Sequence, residues 1–217
     1  EHGHPTTDNP TALYFNPAGL ALGKGHRIYL DGALALRRAR YDRPVGAISN
    51  PGTGTPEDLL DANSGKAELD NWNLIPFGAL VSDLGVENLG VGIGVYVPLG
   101  GSASWERNTA LDGARGEQYP GAVDGVQRWF TIEGTIRSLY FTAAAAYRIP
   151  SLRLSLGAGL NVIQSEVHTI RARNADGTDD LVKGGRPKVG RSLLDVESWD
   201  LGFSVGAIWE PVERFWV

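Results

Sequence analysis

The chain of 217 residues carries 20 basic and 25 acidic side chains, so its net charge is −5. No basic stripe is present to neutralise phosphates, which argues against nucleic acid as a partner. Cysteine is absent, which excludes disulfides, thiolate metal sites and cysteine nucleophiles. The sequence contains no run of about 18 apolar residues, which is the length that would predict a transmembrane helix. With 42% hydrophobic residues and 29 glycines, the composition indicates a folded, glycine-rich protein.

Residues 5–25 predict two short helical turns ahead of the first strand. Asn16 is the candidate N-cap of the second turn, because an amide side chain can accept from the free backbone N–H groups there. Pro17 then stands at the favoured first helical position and Gly23 at the end of the turn. Each turn is too short to be stable alone, so this segment must pack on another part of the protein.

From residue 26 onward the hydrophobic period changes to two, which predicts β-strands. The apolar positions are mostly aliphatic, whereas many of the alternate positions are Gly, Ala, Ser or Asn. A lipid bilayer requires an aliphatic face on the outside of the barrel, and a narrow lumen requires a face of small side chains on the inside. Six segments follow this pattern: 28–36, 75–81, 91–97, 139–147, 152–162 and 199–209.

The connections between these segments alternate in length. Long loops at about 43–73, 100–128 and 172–197 are separated by tight turns near 85–88 and 150–151. This alternation is typical of an outer-membrane barrel with short periplasmic turns and long external loops. The segment lengths agree, since about 9–11 residues cross a bilayer when a strand is tilted. The pattern therefore predicts a barrel wall built as one continuous antiparallel meander.

Four stretches resemble the FadL-type transporters of long-chain fatty acids and other hydrophobic compounds, and they follow the order of that family. They are NPAGL at 16–20, GVGIGVYVPLG at 90–100, LSLGAGLNVIQSEV at 154–167 and WDLGFSVGAIWEP at 199–211. The resemblance implies an all-β fold, a transmembrane antiparallel up-and-down β-barrel with about six strands present of about 14. It also implies a short helical hatch at 1–25, followed at 26–217 by the N-terminal portion of the barrel.

The same resemblance implies passive diffusion of long-chain fatty acids or other hydrophobic molecules across the bacterial outer membrane, through a barrel plugged by a hatch. The expected partners are a hydrophobic ligand, such as a fatty acid or hydrocarbon, and outer-membrane lipid. We expect a monomer when the barrel is complete, no cofactor and no enzymatic activity. Two alternatives stay open: a structural or adhesive outer-membrane barrel whose loops bind a partner, and a soluble β-sandwich binding module.

Two groups of residues are candidate functional sites. The first is either an ordinary capped turn or the hatch that the resemblance implies, and the strand that follows it favours the hatch: Asn16, Pro17, Ala18 and Gly19. The second lies in the third strand, predicted over 89–99, and comprises Gly92, Gly94, Tyr96 and Pro98. These residues either pack a small face or form a kink that opens a lateral exit, as in the resembling family. The proline cannot donate to a strand ladder.

Two further groups of residues have side chains that can bind metal ions, but another interpretation is favoured for each group. His2 and His4 could pair as ligands, but a frayed terminus is the favoured interpretation. Asp176, Asp179 and Asp180 lie in a polar stretch without the spacing of an EF-hand, so a solvated loop is favoured there. We therefore expect no metal site.

Overall fold

The computed structural model describes residues 8–47, 62–109, 113, 117–174, 176–184 and 186–212. Its strands are β1 (His26–Arg43), β2 (Gly65–Ser82), β3 (Leu89–Ser104), β4 (Glu133–Ile149), β5 (Leu154–Arg173), β6 (Val182–Lys183), β7 (Arg186–Pro187) and β8 (Gly190–Trp209). The long strands form one antiparallel sheet in the order β1-β2-β3-β4-β5-β8, and β6 pairs with β7 in a separate hairpin. This order confirms the predicted meander. Within the described ranges it excludes the β-sandwich, which requires two facing sheets.

The long strands reach further toward the long loops than the hydrophobic pattern predicted. β2 begins at Gly65, not near residue 75, and β8 begins at Gly190, not near residue 199. The predicted loops at about 43–73, 100–128 and 172–197 are shortened accordingly, although part of the first, 48–61, lies outside the described residues. Strands of 16–20 residues exceed the roughly 9–11 that a bilayer requires. Their loop-proximal ends therefore project beyond the membrane.

Charged pairs on the outer face explain why these strand ends were missed. Arg38 lies opposite Asp70 across the β1–β2 ladder, with 3.2 Å between guanidinium and carboxylate. Arg137 lies opposite Glu166 across the β4–β5 ladder, at 2.8 Å. Opposite charges placed directly across a strand pair stabilise it without apolar side chains. The strand therefore continues where its hydrophobic period has stopped.

A band of apolar side chains covers the outer face below these ion pairs. Leu30 is 82% exposed and Phe203 is 85% exposed. On β1 the band covers residues 28–36, and these nine residues agree with the roughly 9–11 that cross a bilayer in a tilted strand. Tryptophan and tyrosine mark its two borders, as in outer-membrane barrels: Trp72 and Trp199 on the loop side, and Tyr147 and Trp209 on the turn side.

The N-terminal segment, residues 8–25, packs on the inner face of the sheet. It contains α1 (Ala12–Phe15) and a 3-10 helix, Pro17–Leu22, which contacts β3, β4, β5 and β8. Contact with four neighbouring strands requires the sheet to curve around this segment. The buried cluster between them consists of Ala12, Leu13, Leu20 and Ala21 from the segment and Ala79, Val81, Ala144 and Ala146 from the strands. In the described part of the chain, no helix is long and apolar enough to cross a membrane.

The end of the N-terminal segment is tied to the β2–β3 turn. Asp83 accepts hydrogen bonds from the backbone N–H groups of Gly25 at 2.7 Å and Gly85 at 2.9 Å. These two bonds favour the ionised carboxylate and so lower the pKa of Asp83 below its ordinary value. The β2–β3 turn thus fixes the position of Gly25, where the N-terminal segment ends and β1 begins.

Candidate functional site

The predicted hatch residues belong to the N-terminal segment and lie against the inner faces of β5 and β8. Asn16 caps the 3-10 helix, since its Oδ1 accepts from the backbone N–H of Ala18 at 3.1 Å. Its Nδ2 donates to the carbonyl oxygen of Ala207 on β8 at 3.1 Å, across 191 residues of sequence. Pro17, Ala18 and Gly19 are buried. The turn is therefore both a capped helix start, as predicted, and a contact with the barrel wall.

Glycines on the strands allow this close contact. A Cβ built at Gly157 would overlap the backbone of Pro17 and Ala18, and one at Gly90 would overlap the backbone of Leu20. Main-chain atoms of a packed helix cannot rotate aside as a side chain can. Glycine is therefore required at both positions for the segment to lie where it does. In the sequence, Gly157 is part of an alternating strand and Gly90 begins the GVGIGVYVPLG motif, and neither pattern shows which backbone packs against the glycine.

We predict that Gly157→Ala displaces the N-terminal segment in the full-length protein. The added methyl group overlaps backbone, and overpacking of this kind costs about 1–3 kcal/mol. Leakage of a small polar solute from liposomes should rise, and removal of residues 16–19 should raise it further. Gly190→Ala is the matched control, because the nearest atom to its Cβ would be 3.8 Å away. Equal leakage from both alanine variants would contradict the prediction.

Gly92 and Gly94 of the second predicted group lie in a regular part of β3. Gly92 pairs with Val81 and Ala144 on its two neighbouring strands, without a register shift. Cβ atoms built at Gly92 and Gly94 would lie 3.3 and 3.0 Å from the Leu13 side chain of α1. Of the two interpretations that the sequence left open, the geometry therefore favours packing of a small face for these two glycines.

The irregularity of β3 begins directly after Tyr96. The register with β4 shifts by one residue between Tyr96 and Leu99, which is a β-bulge. The alternation of buried and exposed residues is interrupted at the same place, since Tyr96 and Val97 are both buried and Pro98 and Leu99 are both exposed. The bulge thus lies at 96–99 and includes Pro98, and the kink with a lateral exit stays a prediction for this part of β3.

The ladder between β2 and β3 ends at the same point. Its last pair is Phe77 with Tyr96. Nearer the external loops, hydrogen bonds of 2.9–3.0 Å between the Asn71 and Asn73 side chains and Ser102 join the two strands again. We call the interval between them, residues 74–76 of β2 and 97–101 of β3, the ladder gap. A proline stands on each side of it, Pro76 on β2 and Pro98 on β3, and neither can donate a ladder hydrogen bond. Pro76 lies inside the predicted strand 75–81, and a proline within a strand marks an edge or an irregularity, which was the sequence signal for this residue.

A cavity adjoins the ladder gap on the inner side of the wall. It has a volume of about 430 Å³, and we call it the aromatic pocket. The N-terminal segment contributes Thr11, Tyr14 and Phe15, and the strands contribute Phe77 and Tyr96 together with both prolines of the gap. The pocket therefore lies between the N-terminal segment and the interrupted part of the wall.

The aromatic side chains around this pocket form a continuous array. Tyr96 stacks on Phe77 with ring centroids 5.2 Å apart and on Tyr140 at 5.6 Å. Tyr14 of α1 meets the Tyr96 ring edge-on at 5.4 Å, and Tyr29 meets Phe77 edge-on at 5.8 Å. These separations and orientations are the favourable ones for aromatic pairs. Tyr96 thereby joins the N-terminal segment to the strand irregularity.

The sequence matches a family described as "Outer membrane protein transport protein (OMPP1/FadL/TodX)" over residues 3–217. The chain belongs to this family. The resemblance stated from four motifs is thereby confirmed, as are the β-barrel fold and the location in the outer membrane. None of the curated proteins compared with the sequence matches it.

Two solved structures show the same fold for this OMPP1/FadL/TodX family member. A FadL homologue from Pseudomonas aeruginosa has a TM-score of 0.64 and 21% identity, and the match covers 98% of this chain and 46% of that one. The CymD monoaromatic hydrocarbon channel has a TM-score of 0.56 and 16% identity, with 98% and 47% covered. The chain therefore spans about half the length of either structure, and its strands form part of a barrel wall.

Above the membrane, the external loops of this FadL-type wall pack together around buried arginines. Arg128, in the β3–β4 loop, is fully buried and donates to the carbonyl oxygens of Ala62 at 2.7 Å and Gly125 at 3.0 Å, and also to the side chain of Asn63. Burial lowers the pKa of Arg128 to about 10, so its guanidinium stays charged at neutral pH. One cation thus joins two loops through neutral oxygen acceptors.

The acidic residues of the β5–β8 loop are paired with basic side chains. Asp179 accepts two hydrogen bonds from Arg43, at 2.7 and 2.8 Å, and Lys188 lies 2.7 Å from Asp176 and 3.6 Å from Asp180. The ammonium of Lys188 lowers the pKa of Asp176 to about 2. Asp179 and Asp180 are buried, so the expected solvated loop is wrong for these two residues. Among the described residues no group could hold a metal ion, and His2 and His4 lie outside them.

We predict that Asp179→Asn loosens the external loops while the barrel stays folded. The Arg43 and Asp179 side chains are only 11% and 6% exposed, and loss of one partner from such a buried pair costs about 3–5 kcal/mol. Hydrogen exchange at residues 124–128 and 178–181 of the full-length protein should accelerate. Glu68→Gln, in the exposed pair with Arg40, is the control and should change stability by about 0–1 kcal/mol. Unchanged exchange in the Asn variant would contradict the prediction.

Proposed function

We propose that the complete protein carries hydrophobic small molecules across the outer membrane by passive diffusion. The outer leaflet of that membrane obstructs such molecules, so a protein route is needed. The driving force is the solute's own gradient or its consumption inside the cell, and no chemical step is involved. The family, and the similarity to the CymD monoaromatic hydrocarbon channel, support the solute class.

The observation that carries this proposal is the position of the aromatic pocket beside the ladder gap. A solute bound in the pocket lies against Val97 and Pro98, at the one-residue bulge of β3. We propose that it leaves through the gap into the bilayer. Such a lateral exit avoids water, which costs an apolar solute about 0.8 kcal/mol for each CH₂ group exposed.

In this proposal the N-terminal segment is the hatch. Residues Asn16 to Gly19 occupy the inner face near β5 and β8, where they would obstruct a straight path through the lumen. Tyr14 and Phe15 of the same segment line the aromatic pocket. The segment therefore closes the aqueous route and contributes to the binding site for the solute.

Uptake by full-length protein in liposomes with lipopolysaccharide in the outer leaflet tests the proposal. The probe is ethylbenzene, and empty liposomes of the same composition are the control. We expect faster uptake with protein than without it, and saturation as the concentration rises. Equal uptake in both preparations would reject transport and favour the alternative of a structural or adhesive barrel whose external loops bind a partner.

A further inference from the structure

Side chains close the ladder gap at its loop-side end. The backbone N–H of Ser102 on β3 donates to Asn73 Oδ1 at 2.9 Å, and the Ser102 carbonyl oxygen accepts from Asn71 Nδ2 at 2.9 Å. In a regular antiparallel pair such groups bind the backbone of the neighbouring strand. The two asparagine side chains thus take the place of the β2 backbone, and we call these three residues the amide bridge.

The amide bridge satisfies the serine but not both asparagines. The Ser102 hydroxyl accepts from Asn71 Nδ2 at 3.0 Å and donates to Asn73 Oδ1 at 3.0 Å. Asn71 Oδ1, however, is buried without a hydrogen-bond partner in the part of the chain that the structure describes. A buried acceptor without a partner is unfavourable, and an open bridge lets water reach it. The closed bridge is therefore held less firmly than a backbone ladder would be.

The amide bridge also sets the length of the opening in the wall. On its turn side, the gap contains residues 74–76 of β2, about 10 Å along the strand. On its loop side, a backbone hydrogen bond returns where the N–H of Glu106 donates to the carbonyl oxygen of Glu68 at 3.0 Å. Release of Ser102 would extend the opening to residues 69–76, about 26 Å along β2.

We infer that the amide bridge sets the size limit for solutes that leave through the ladder gap. The inference rests on the proposed transport function and names residues that determine its specificity. A narrow solute passes the short opening while the bridge is closed, whereas a wide one must first release Ser102 from both asparagines. The bridge residues control the width of the route and need not bind the solute.

Uptake of two neutral hydrocarbons by the full-length protein in the liposomes described above tests this size limit. The probes are ethylbenzene and 1,3,5-triisopropylbenzene, which share a ring and differ in width, and each rate is compared with that of empty liposomes. Asn73→Ala removes both hydrogen bonds from Ser102 to Asn73. We expect it to raise the rate of the wider compound relative to ethylbenzene at least about fivefold. Ser102→Ala keeps the backbone bonds and should raise this ratio less.

Ser138→Ala is the matched control, because Ser138 makes a similar contact within an unbroken ladder. Its hydroxyl lies 3.1 Å from that of Ser165, its partner across the β4–β5 ladder. The ratio of the two rates should equal that of the unmodified protein. Hydrogen exchange at the Ser102 amide shows whether the bridge has opened, and it should accelerate in Asn73→Ala but not in Ser138→Ala.

The outcomes separate this inference from the proposed function. An unchanged ratio in Asn73→Ala, or an equal rise in Ser138→Ala, would overturn the size limit while uptake of ethylbenzene still supported transport. If Asn73→Ala does not fold, the ratio in Ser102→Ala decides in the same way. Absence of protein-dependent uptake for both compounds would reject transport, and the size limit with it.

Discussion

Replacement of Pro76 and Pro98 together by valine is expected to lower hydrophobic uptake by the full-length protein about 5- to 150-fold. The substitution restores two backbone donors at the ladder gap, and β-branched residues favour a pleated strand. Two ladder hydrogen bonds at about 0.5–1.5 kcal/mol each shift the wall toward closure by about 1–3 kcal/mol, which gives this range. Ethylbenzene uptake by liposomes is the measurement.

Pro150→Val is the matched control, because Pro150 begins the turn between β4 and β5, away from the gap. Its uptake should equal that of the unmodified protein. Hydrogen exchange at residues 76 and 98 shows whether the ladder has formed. Protected amides with unchanged uptake would contradict a route through the gap. Valines at Gly92 and Gly94 would be a poorer test, since they would collide with Leu13 and report on the hatch.

Val205→Arg is expected to destabilise the full-length barrel by about 2–4 kcal/mol, which is the cost of arginine near the middle of a bilayer. Val205 is 77% exposed on the outer face, near the centre of the apolar band of β8. Leu156→Arg, on the same face of β5, should cost less, about 0–1 kcal/mol, because Leu156 pairs with Tyr147 near the turn-side border of the band. Folding into lipid bilayers, followed by denaturant titration, measures the effect.

The matched control for this prediction is Ala33→Arg, because Ala33 lies on the inner face of β1 and is exposed to the lumen. It should fold nearly as well as the unmodified protein. Ser155 and Ser204 also face inward, but Ser155 is 1% exposed and the Ser204 hydroxyl is buried, so arginine would not fit at either. Similar losses for Val205→Arg and Ala33→Arg would contradict the assignment of the two faces.

The sequence predicted the barrel wall well where the signal is local. Alternation of side chains, the short turns near 85–88 and 150–151, and the Asn16 cap with Pro17 each depend on neighbouring residues. The hydrophobic pattern located only the membrane-embedded part of each strand. Beyond it, pairs such as Arg38 with Asp70 sustain the ladder through charge, which leaves no apolar period to read.

The candidate site was predicted in part. Pro98 and Tyr96 were singled out, and the structure places both at the irregularity of β3. Pro76 was not singled out, because its role at the ladder gap depends on β3, the strand that lies beside it. The aromatic pocket was also missed, since Tyr14 and Phe77 are far apart in the chain and meet Tyr96 only when the N-terminal segment lies on the sheet.

By itself, the sequence determined the fold class, the strand order of the meander, the outer-membrane location and the family, because periodicity, turn chemistry and ordered motifs all lie along the chain. Only the tertiary structure decided where the N-terminal segment lies, where the β2–β3 ladder stops and which charges are buried. The Arg43–Asp179 pair spans 136 residues, and the bond from Asn16 to Ala207 spans 191. Such contacts depend on which strands become neighbours, and that is settled by packing across the sheet, not by any local preference.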